Sequence, residues 1–574
     1  MKIVLKYLRI AVAVVIMLIV SKPTYAYDFE VDGIYYNIID KNAQIVEVTY
    51  DGSFSNKLTG MLKIPSSVNY NGATYSVTAI GSLAFYECVG LTSVIVPNSV
   101  ETIGYKAFEN CSNITSVDIP NSVISIGDEA FSCCMSLFSI SIPNSVTSIG
   151  DHAFSHCRNL KSVDIPNSVI RIGNAAFLGC GITSVFIPNS VTEIGHYVIG
   201  GCPNLTSIVV EEGNIVYDSR DNCNAIIHTS TNALIMGCKT TTIPSSVTEI
   251  GGSAFSNCSI TSVSIPESVI KIGEFAFSYC SNLTSIIIPN SVASIGNWAF
   301  SGCPNLKSIV VKEDNSEFDS RNNCNAIIHT STNTLIVGCK NTFIPNSVIS
   351  IGFRAFSGSD ITSINIPKSV TSINGSAFAN CKKLTSIVVK RGNRTFDSRN
   401  NCNAIIHTST NTLVAGCKNT IIPKTVTTIG YHSFSECANL TSITIPKSVT
   451  KIDDWAFANC GDLTSITIPK TVREIGEDVF QGCTELTSVA LSRSVTKIRR
   501  GTFANCLSLT SITIPYSVTE IEESAFLNCP KLKTVTIMNS NAKIDENAFE
   551  YCGNVKVMKG TKAKNSTYKK KRRK

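Results

Sequence analysis

The chain has 574 residues, of which 43% are hydrophobic and 16% charged, with 35 Gly and 19 Pro. That apolar share suffices to bury a large core and excludes a disordered chain, and the absence of a Gly-X-Y period excludes a collagen-like one. The formal charge of +7 is concentrated at the two ends, where residues 1–26 and 555–574 carry Lys and Arg but no acid. The body between them is close to neutral, so a nucleic-acid-binding globule is not indicated.

The N-terminus has the pattern of an export signal. Lys2, Lys6 and Arg9 precede an apolar run from Ile10 to Val20, and Thr24 and Ala26 supply the small residues before a cut after Ala26. The run is 11 residues, short of the ~20 that span a bilayer. Residues 1–26 are therefore expected to be a signal peptide, with an N-terminal anchor as the alternative. No later segment is apolar and long enough to span, so the mature chain is expected to be secreted or held at the cell surface.

From about residue 77 one unit repeats. It reads Leu160-Lys-Ser-Val-Asp-Ile-Pro-Asn-Ser-Val-Ile-Arg-Ile-Gly-Asn-Ala-Ala-Phe-Leu-Gly-Cys180, and its proline recurs at Pro97, Pro120, Pro143, Pro166 and Pro188, then from Pro244 to Pro515. With Ser492 standing at the proline position between Pro469 and Pro515, the steps are 23 residues, sometimes 22, with three of 56. In Ser116–Pro120, Val117 and Ile119 alternate with polar residues, as in a short strand with one face buried. Pro120 lacks an N–H and ends it. Val123 and Ile126 then mark a second extended piece before Gly127, and the spacing of Ala130, Phe131 and Cys134 suits about one turn of helix. No unit can bury its apolar face alone, so units must stack. A phenylalanine in nearly every unit, from Phe85 to Phe549, predicts an interior column, with Ile199 standing in once.

These units resemble the BspA-like leucine-rich-repeat family and its 23-residue pattern IGxxAFxxCxxLTSVxIPxSVTxI, over about residues 77–554. The resemblance implies a leucine-rich-repeat solenoid, α/β but β-dominated. Parallel short strands would stack in a curved superhelix, with short helical turns on the other side and three β-hairpin inserts near 211–241, 312–342 and 390–420. It also implies that residues 27–76, beginning Asp28-Phe-Glu-Val-Asp-Gly-Ile-Tyr-Tyr-Asn37, form a β-rich N-terminal cap. The expected organisation is thus a signal peptide 1–26, a cap 27–76, a solenoid 77–554 and a basic tail 555–574, of which 560–574 is expected to lack fixed structure. The expected function is that of an exported adhesion or recognition protein binding a host or bacterial surface protein or glycan. The alternatives are a structural surface component and a carbohydrate-active or proteolytic enzyme. The resemblance fixes no ligand, and the oligomeric state stays open.

The 23 cysteines mostly keep the repeat's step, as in Cys111, Cys134 and Cys157. Equivalent residues in stacked units have parallel Cβ vectors, which a disulfide does not allow, so a column of buried thiols is expected. The inserts differ. Each holds a near-copy of Asp-Ser-Arg-x-Asn-Cys-Asn-Ala-Ile-Ile-His-Thr-Ser-Thr-Asn, with Cys pairs Cys223 and Cys238, Cys324 and Cys339, and Cys402 and Cys417. Folding the hairpin between Ser331 and Thr332 would set Cys324 opposite Cys339, so bridged and free thiols both stay open.

Asp218, Ser219 and His228 contain the residue types of a hydrolytic triad, but the set occurs three times and adjacent strand side chains point to opposite faces. Asp218 and Arg220 are instead expected to pin the insert to the next coil. Cys223, His228 and Cys238 match no zinc-finger spacing. No catalytic residue, metal or cofactor is expected. Candidate ligand contacts lie two residues before the proline, at Asp118, Asp164, Phe186, Ile287, Phe343, Asn365 and Ile421, a row that neighbouring hairpins could also cover. The residue after the proline changes from Asn early to Lys368, Lys424, Lys447, Lys470 and Arg493 late. Stacking would make this a basic stripe for an acidic protein or sulfated glycan, or a solvated turn row that aids solubility.

Overall fold

Each 23-residue unit closes one coil of a β-solenoid, and the coils are joined along three separate lines of hydrogen bonds. A computed structural model describes residues 27–52, 58–560 and 564–567. The signal-peptide expectation for 1–26 lies outside them. The chain divides into two units, one ending at Ile199 and one beginning at Gly200.

In the first unit the cap supplies the edge on which the coils build. Phe29–Val31, Ile34–Asp40 and Ile45–Thr49 pair antiparallel, over a core in which Phe29 stacks on Tyr70 at 4.1 Å. The last cap strand, Ala73–Ile80, crosses the expected boundary at 76 and is itself the first rung of the solenoid. It pairs parallel with Thr102–Ile103, which pairs with Ser125–Ile126, and so on to Glu193–Ile194. A second line joins Gly60–Lys63, Leu91–Ile95 and Ser116–Asp118 in parallel. An edge that would otherwise expose unpaired N–H and C=O groups is thus occupied by the cap.

The third line replaces the expected helical turn. Lys106, Phe108 and Asn110 donate their N–H groups to Asp128, Ala130 and Ser132 of the next coil at 2.7–2.9 Å, while Ala107, Glu109 and Cys111 donate back three residues within their own coil. Alternate residues therefore serve alternate coils, which no α-helix can do. The geometry needs positive φ at Lys106 (54°) and Asn110 (61°), repeated coil after coil. Each such residue costs about 1–2 kcal/mol, offset by the cross-coil bond it permits. Only four short 3-10 helices occur among the described residues, three of them in the inserts.

Inside this frame the phenylalanines stack face to face. Phe85, Phe108, Phe131, Phe154 and Phe177 follow at centroid spacings of 5.1–5.5 Å. The thiols line up beside them, and each reaches back one coil: Cys111 donates to the Phe85 carbonyl at 3.0 Å and Cys134 to that of Phe108 at 3.3 Å. A cysteine here both fills a small apolar space and supplies a weak donor. Burial pushes the Cys134 thiol up, and in the second unit raises Cys506 to about 12.

The second unit follows the same plan with interruptions. Each step of 56 residues contains an ordinary coil that lacks the proline, with Lys312 in its place 23 residues after Pro289, followed by a 33-residue insert ending at Pro345. The insert is a layer within the stack. Ala326–His329 pairs antiparallel with Thr334–Gly338, which pairs parallel with Ser350–Ile351 of the next coil. Ala326, Ile327 and Ile328 are all fully buried. Ile327 joins the core of the preceding coils, whereas Ala326, Ile328 and Leu335 join that of the following ones. This hairpin and its counterpart in the third insert thereby divide the unit's interior into three apolar blocks.

This layering removes the disulfide option. A bulge between Ile327 and Ile328 shifts the register by one residue, so the opposition of Cys324 and Cys339 expected from a regular hairpin is lost. Cys324 packs into the following block and Cys339 into the preceding one. Cys402 and Cys417 are split in the same way, and all six insert thiols, including Cys223 and Cys238, are free.

The far end departs from the expectation of no fixed structure in 560–574 at one place, the strand Lys564–Thr567. Lys556–Lys559 adds a parallel strand to Thr534–Ile537 and buries Val557. Lys564–Thr567 pairs antiparallel with it. Val557 and Met558 give this stretch the apolar content that its many lysines conceal. Residues 568–574 lie outside the described residues.

Candidate recognition surfaces

The strands that precede each proline bury alternate residues and present the others outward. In the first unit Asp118 and Asp164 are exposed, Asp164 opposite Ser141 and Asp118 opposite Ile95. Phe186 is 48% exposed. In the second unit Ile287 (53% exposed) lies directly opposite Val310 (43%), and Asn365 lies opposite the exposed Val388. Phe343 and Ile421 are exposed as well, so the hairpins do not cover this row. Val209, Val310 and Val388 extend it and were missed because alignment on proline skips their coils. The tripeptide Ile-Val-Val, which repeats where other coils have an alternating strand ending in proline, was the available signal.

The repeated Asp-Ser-Arg motif is used structurally. Arg220 forms a fork with Asp218 at 2.8 and 2.5 Å, and donates to Asn232 of its own insert turn at 2.8 Å and to Ser246 of the next coil at 3.3 Å. Arg321 and Arg399 repeat this arrangement on Asn333 and Ser347, and on Asn411 and Thr425. Hydrogen bonding to the aspartate raises each guanidinium further above its already high value. Ser219 accepts the Val210 N–H at 2.9 Å, while His228 pairs with Ser230 and packs edge-on against Tyr217. The members of the apparent triad therefore have separate partners. Among the described residues no group of three His, Cys, Asp or Glu side chains is placed to hold a metal ion.

Charge is arranged in two contrasting rows in the second unit. On the short second strands, signs alternate from coil to coil and pair: Lys271 with Glu249 at 2.9 Å, Lys451 with Glu474 at 3.4 Å, and Lys497 with Glu520 at 2.6 Å. Water screens such exposed pairs, so each adds little stability, but the alternation avoids stacking like charges. The row after the proline does the opposite. Lys368, Lys424, Lys447, Lys470 and Arg493 are all exposed, and among the described residues none has an ion-pair partner. Arg391 belongs to the same row in the coil without proline, and Lys368 reaches across to the neighbouring Gly392. Lys424, Lys447, Lys470 and Arg493 occupy four successive coils, ~4.8 Å apart. Like charges at that spacing repel.

Comparison with known proteins matches this architecture. The sequence fits the description BspA type Leucine rich repeat region, in six copies, over residues 78–213, 227–328, 334–414 and 413–526. Among solved structures, a leucine-rich cell surface protein from Faecalibacterium prausnitzii is 21% identical, covers 95% of this chain and 96% of its own, and superposes with a TM-score of 0.35. A leucine-rich-repeat protein from Bacteroides ovatus is 25% identical, with 89% and 94% covered and a TM-score of 0.31. The pneumococcal vaccine antigen PcpA is 15% identical, with 93% and 94% covered and a TM-score of 0.22. No curated protein matches. Among the described residues no helix is long and apolar enough to cross a membrane. The repeat pattern, present across most of the length, shows that the chain belongs to the BspA-type leucine-rich-repeat family.

Proposed function

We propose that this chain is an exported recognition protein, secreted or held at the cell surface, that binds acidic surface polymers through the row after the prolines in its C-terminal half. The observation that carries this reading is the unpaired, single-sign row Lys368, Arg391, Lys424, Lys447, Lys470 and Arg493, in a chain that alternates charge elsewhere. Repulsion within the row is a cost that an extended polyanion would relieve, releasing its counterions as it binds. A sulfated glycan has that form, and the family's surface proteins supply the setting. Export rests on the basic, apolar and small-residue succession in residues 1–26. Binding is favoured over catalysis because the repeated Asp-Ser-Arg sets hold the coils together.

The test is binding of the full chain to immobilised heparin across a salt series. The intact protein is expected to bind at low salt and release steeply as salt rises. Lys424→Glu, Lys447→Glu and Lys470→Glu together should abolish retention while leaving the unfolding midpoint unchanged. Retention that survives the triple substitution refutes the assignment. A second reading, a structural component that contacts its own copies, is favoured by the exposed pair Ile287 and Val310. Sedimentation showing association that Ile287→Asp disrupts would support it.

A further inference from the structure

The second insert opens a cleft that ordinary coils lack. In an uninterrupted pair of coils, Phe275 donates its N–H to Asn297 at 3.0 Å and Phe277 to Ala299 at 2.7 Å. At the insert, Val337 and Gly338 wedge between the coil of Phe300 and the coil of Phe356. The Ala355 carbonyl accepts from Gly338 at 2.7 Å instead of from Phe300, and the cross-coil line resumes only at Gly302, which donates to Ser357 at 2.9 Å. Between these points lies a cleft of about 160 Å³, lined by Trp298, Phe300, Ile336, Val337, Phe353 and Arg354. The backbone N–H groups of Trp298 and Phe300 have no acceptor among the described residues, although Phe300 is only 5% exposed. An unpaired buried N–H is a rare and costly condition that calls for an acceptor from outside.

The third insert is an internal comparison. There the preceding coil winds into a 3-10 turn, Gly375–Phe378, and the Asn374 side chain accepts the Ser376 N–H. Gly375 lies against the Tyr431 carbonyl with no room for a Cβ. The space left is about 10 Å³. The same wedge therefore gives a closed seam where the residues are Asn-Gly-Ser, and an open one where they are Gly-Asn-Trp.

We propose that the cleft beside the Trp298–Phe353 ring contact binds a neutral N-acetylated sugar residue. Its walls are aromatic: Trp298 meets Phe353 edge to face at 5.7 Å and stacks on Phe275 at 4.7 Å. The aromatic surface left open beside these contacts accepts an acetamido methyl or the C–H groups of a pyranose ring. An acetamido carbonyl is the strong neutral acceptor that two orphaned N–H groups require. At the rim, Arg354 is paired with Glu436, Nη1 lying 3.3 Å from Oε2. That pair carries no net charge but offers both donors and acceptors, which suits hydroxyl groups and disfavours an ion. The site is on the turn side and owes nothing to the basic row, so either assignment can fail without the other.

Saturation-transfer difference NMR on the full chain tests it, with the methyl β-glycosides of N-acetylglucosamine, N-acetylgalactosamine and glucose as probes. Transfer to the acetamido methyl of at least one N-acetylated probe is expected, saturable and absent for the glucoside. Trp298→Ala and, separately, Phe353→Ala should each weaken it at least tenfold, while Trp455→Phe leaves it unchanged. Two substitutions in separate coils guard against a folding defect in one. No transfer from either acetamido probe, equal transfer to the glucoside, or undiminished transfer in both wall variants overturns the proposal.

Discussion

Phe457→Ala measures how far the interior column holds the coils together. The ring is fully buried and stacks on Phe434 at 5.1 Å and on Phe480 at 5.6 Å. Removing it forfeits about 1.5–3 kcal/mol of apolar burial and two stacked contacts worth about 0.5–1.5 kcal/mol each. The sum agrees with the ~3–5 kcal/mol typical of such truncations. The upper half of that range is expected, because hydrogen bonds on three sides hold the flanking coils apart and keep the cavity from collapsing. The loss should also be local, since each coil contacts only its neighbours. Ala456–Phe549 lies in one apolar block and Phe255–Val311 in another. Hydrogen exchange followed by mass spectrometry under mild urea should show faster exchange in the first block and little change in the second. A loss below about 1 kcal/mol, or equal deprotection of both blocks, would refute the account.

Three further outcomes follow from the same packing. Gly338→Ala places a Cβ 2.2 Å from Phe356 Cε1, so thermal unfolding should show a loss of about 1–3 kcal/mol; an unchanged midpoint contradicts the close approach. Ser359 stands where other coils have cysteine, and its buried hydroxyl has no partner among the described residues. Ser359→Cys should therefore stabilise by about 1 kcal/mol in urea titration, and destabilisation would speak against the thiol's dual use. Finally, burial raises Cys134 and Cys157, as it does Cys258 and Cys506, the last two to about 12, so little thiolate forms there at pH 8. Iodoacetamide should label the partly exposed Cys133 well before Cys134 or Cys157, and all 23 cysteines once urea unfolds the chain. Fewer than 23 in urea would reveal a bridge.

The phenylalanine stacks within each unit, the rows of thiols and the strand before each proline were legible because a 23-residue period exposes equivalent positions directly. The turn-side hydrogen bonds were not, since positive φ at residues as unlike as Lys106, Phe275 and Trp298 leaves no compositional mark. The inserts were recognisable as hairpins, and Ala326-Ile327-Ile328 carried the further sign of burial on both faces. The facing of Cys324 and Cys339 depended on a one-residue bulge, and register is the property that sequence specifies least visibly. The basic row was legible in sequence, but its lack of acid partners required the neighbouring coils to be placed. The cleft at Trp298 depends on where the wedge enters, which only the fold shows.

The three inserts are nearly identical in sequence and occupy equivalent places in the stack, with Asp319 and Asp397 separated by 78 residues. A crossover between two copies in the coding sequence would delete or duplicate that whole stretch without disturbing any ladder at the join. The hairpin layers thus serve as in-phase splice points, through which the molecule can lengthen or shorten by complete blocks and change the span of its exposed rows in one genetic event.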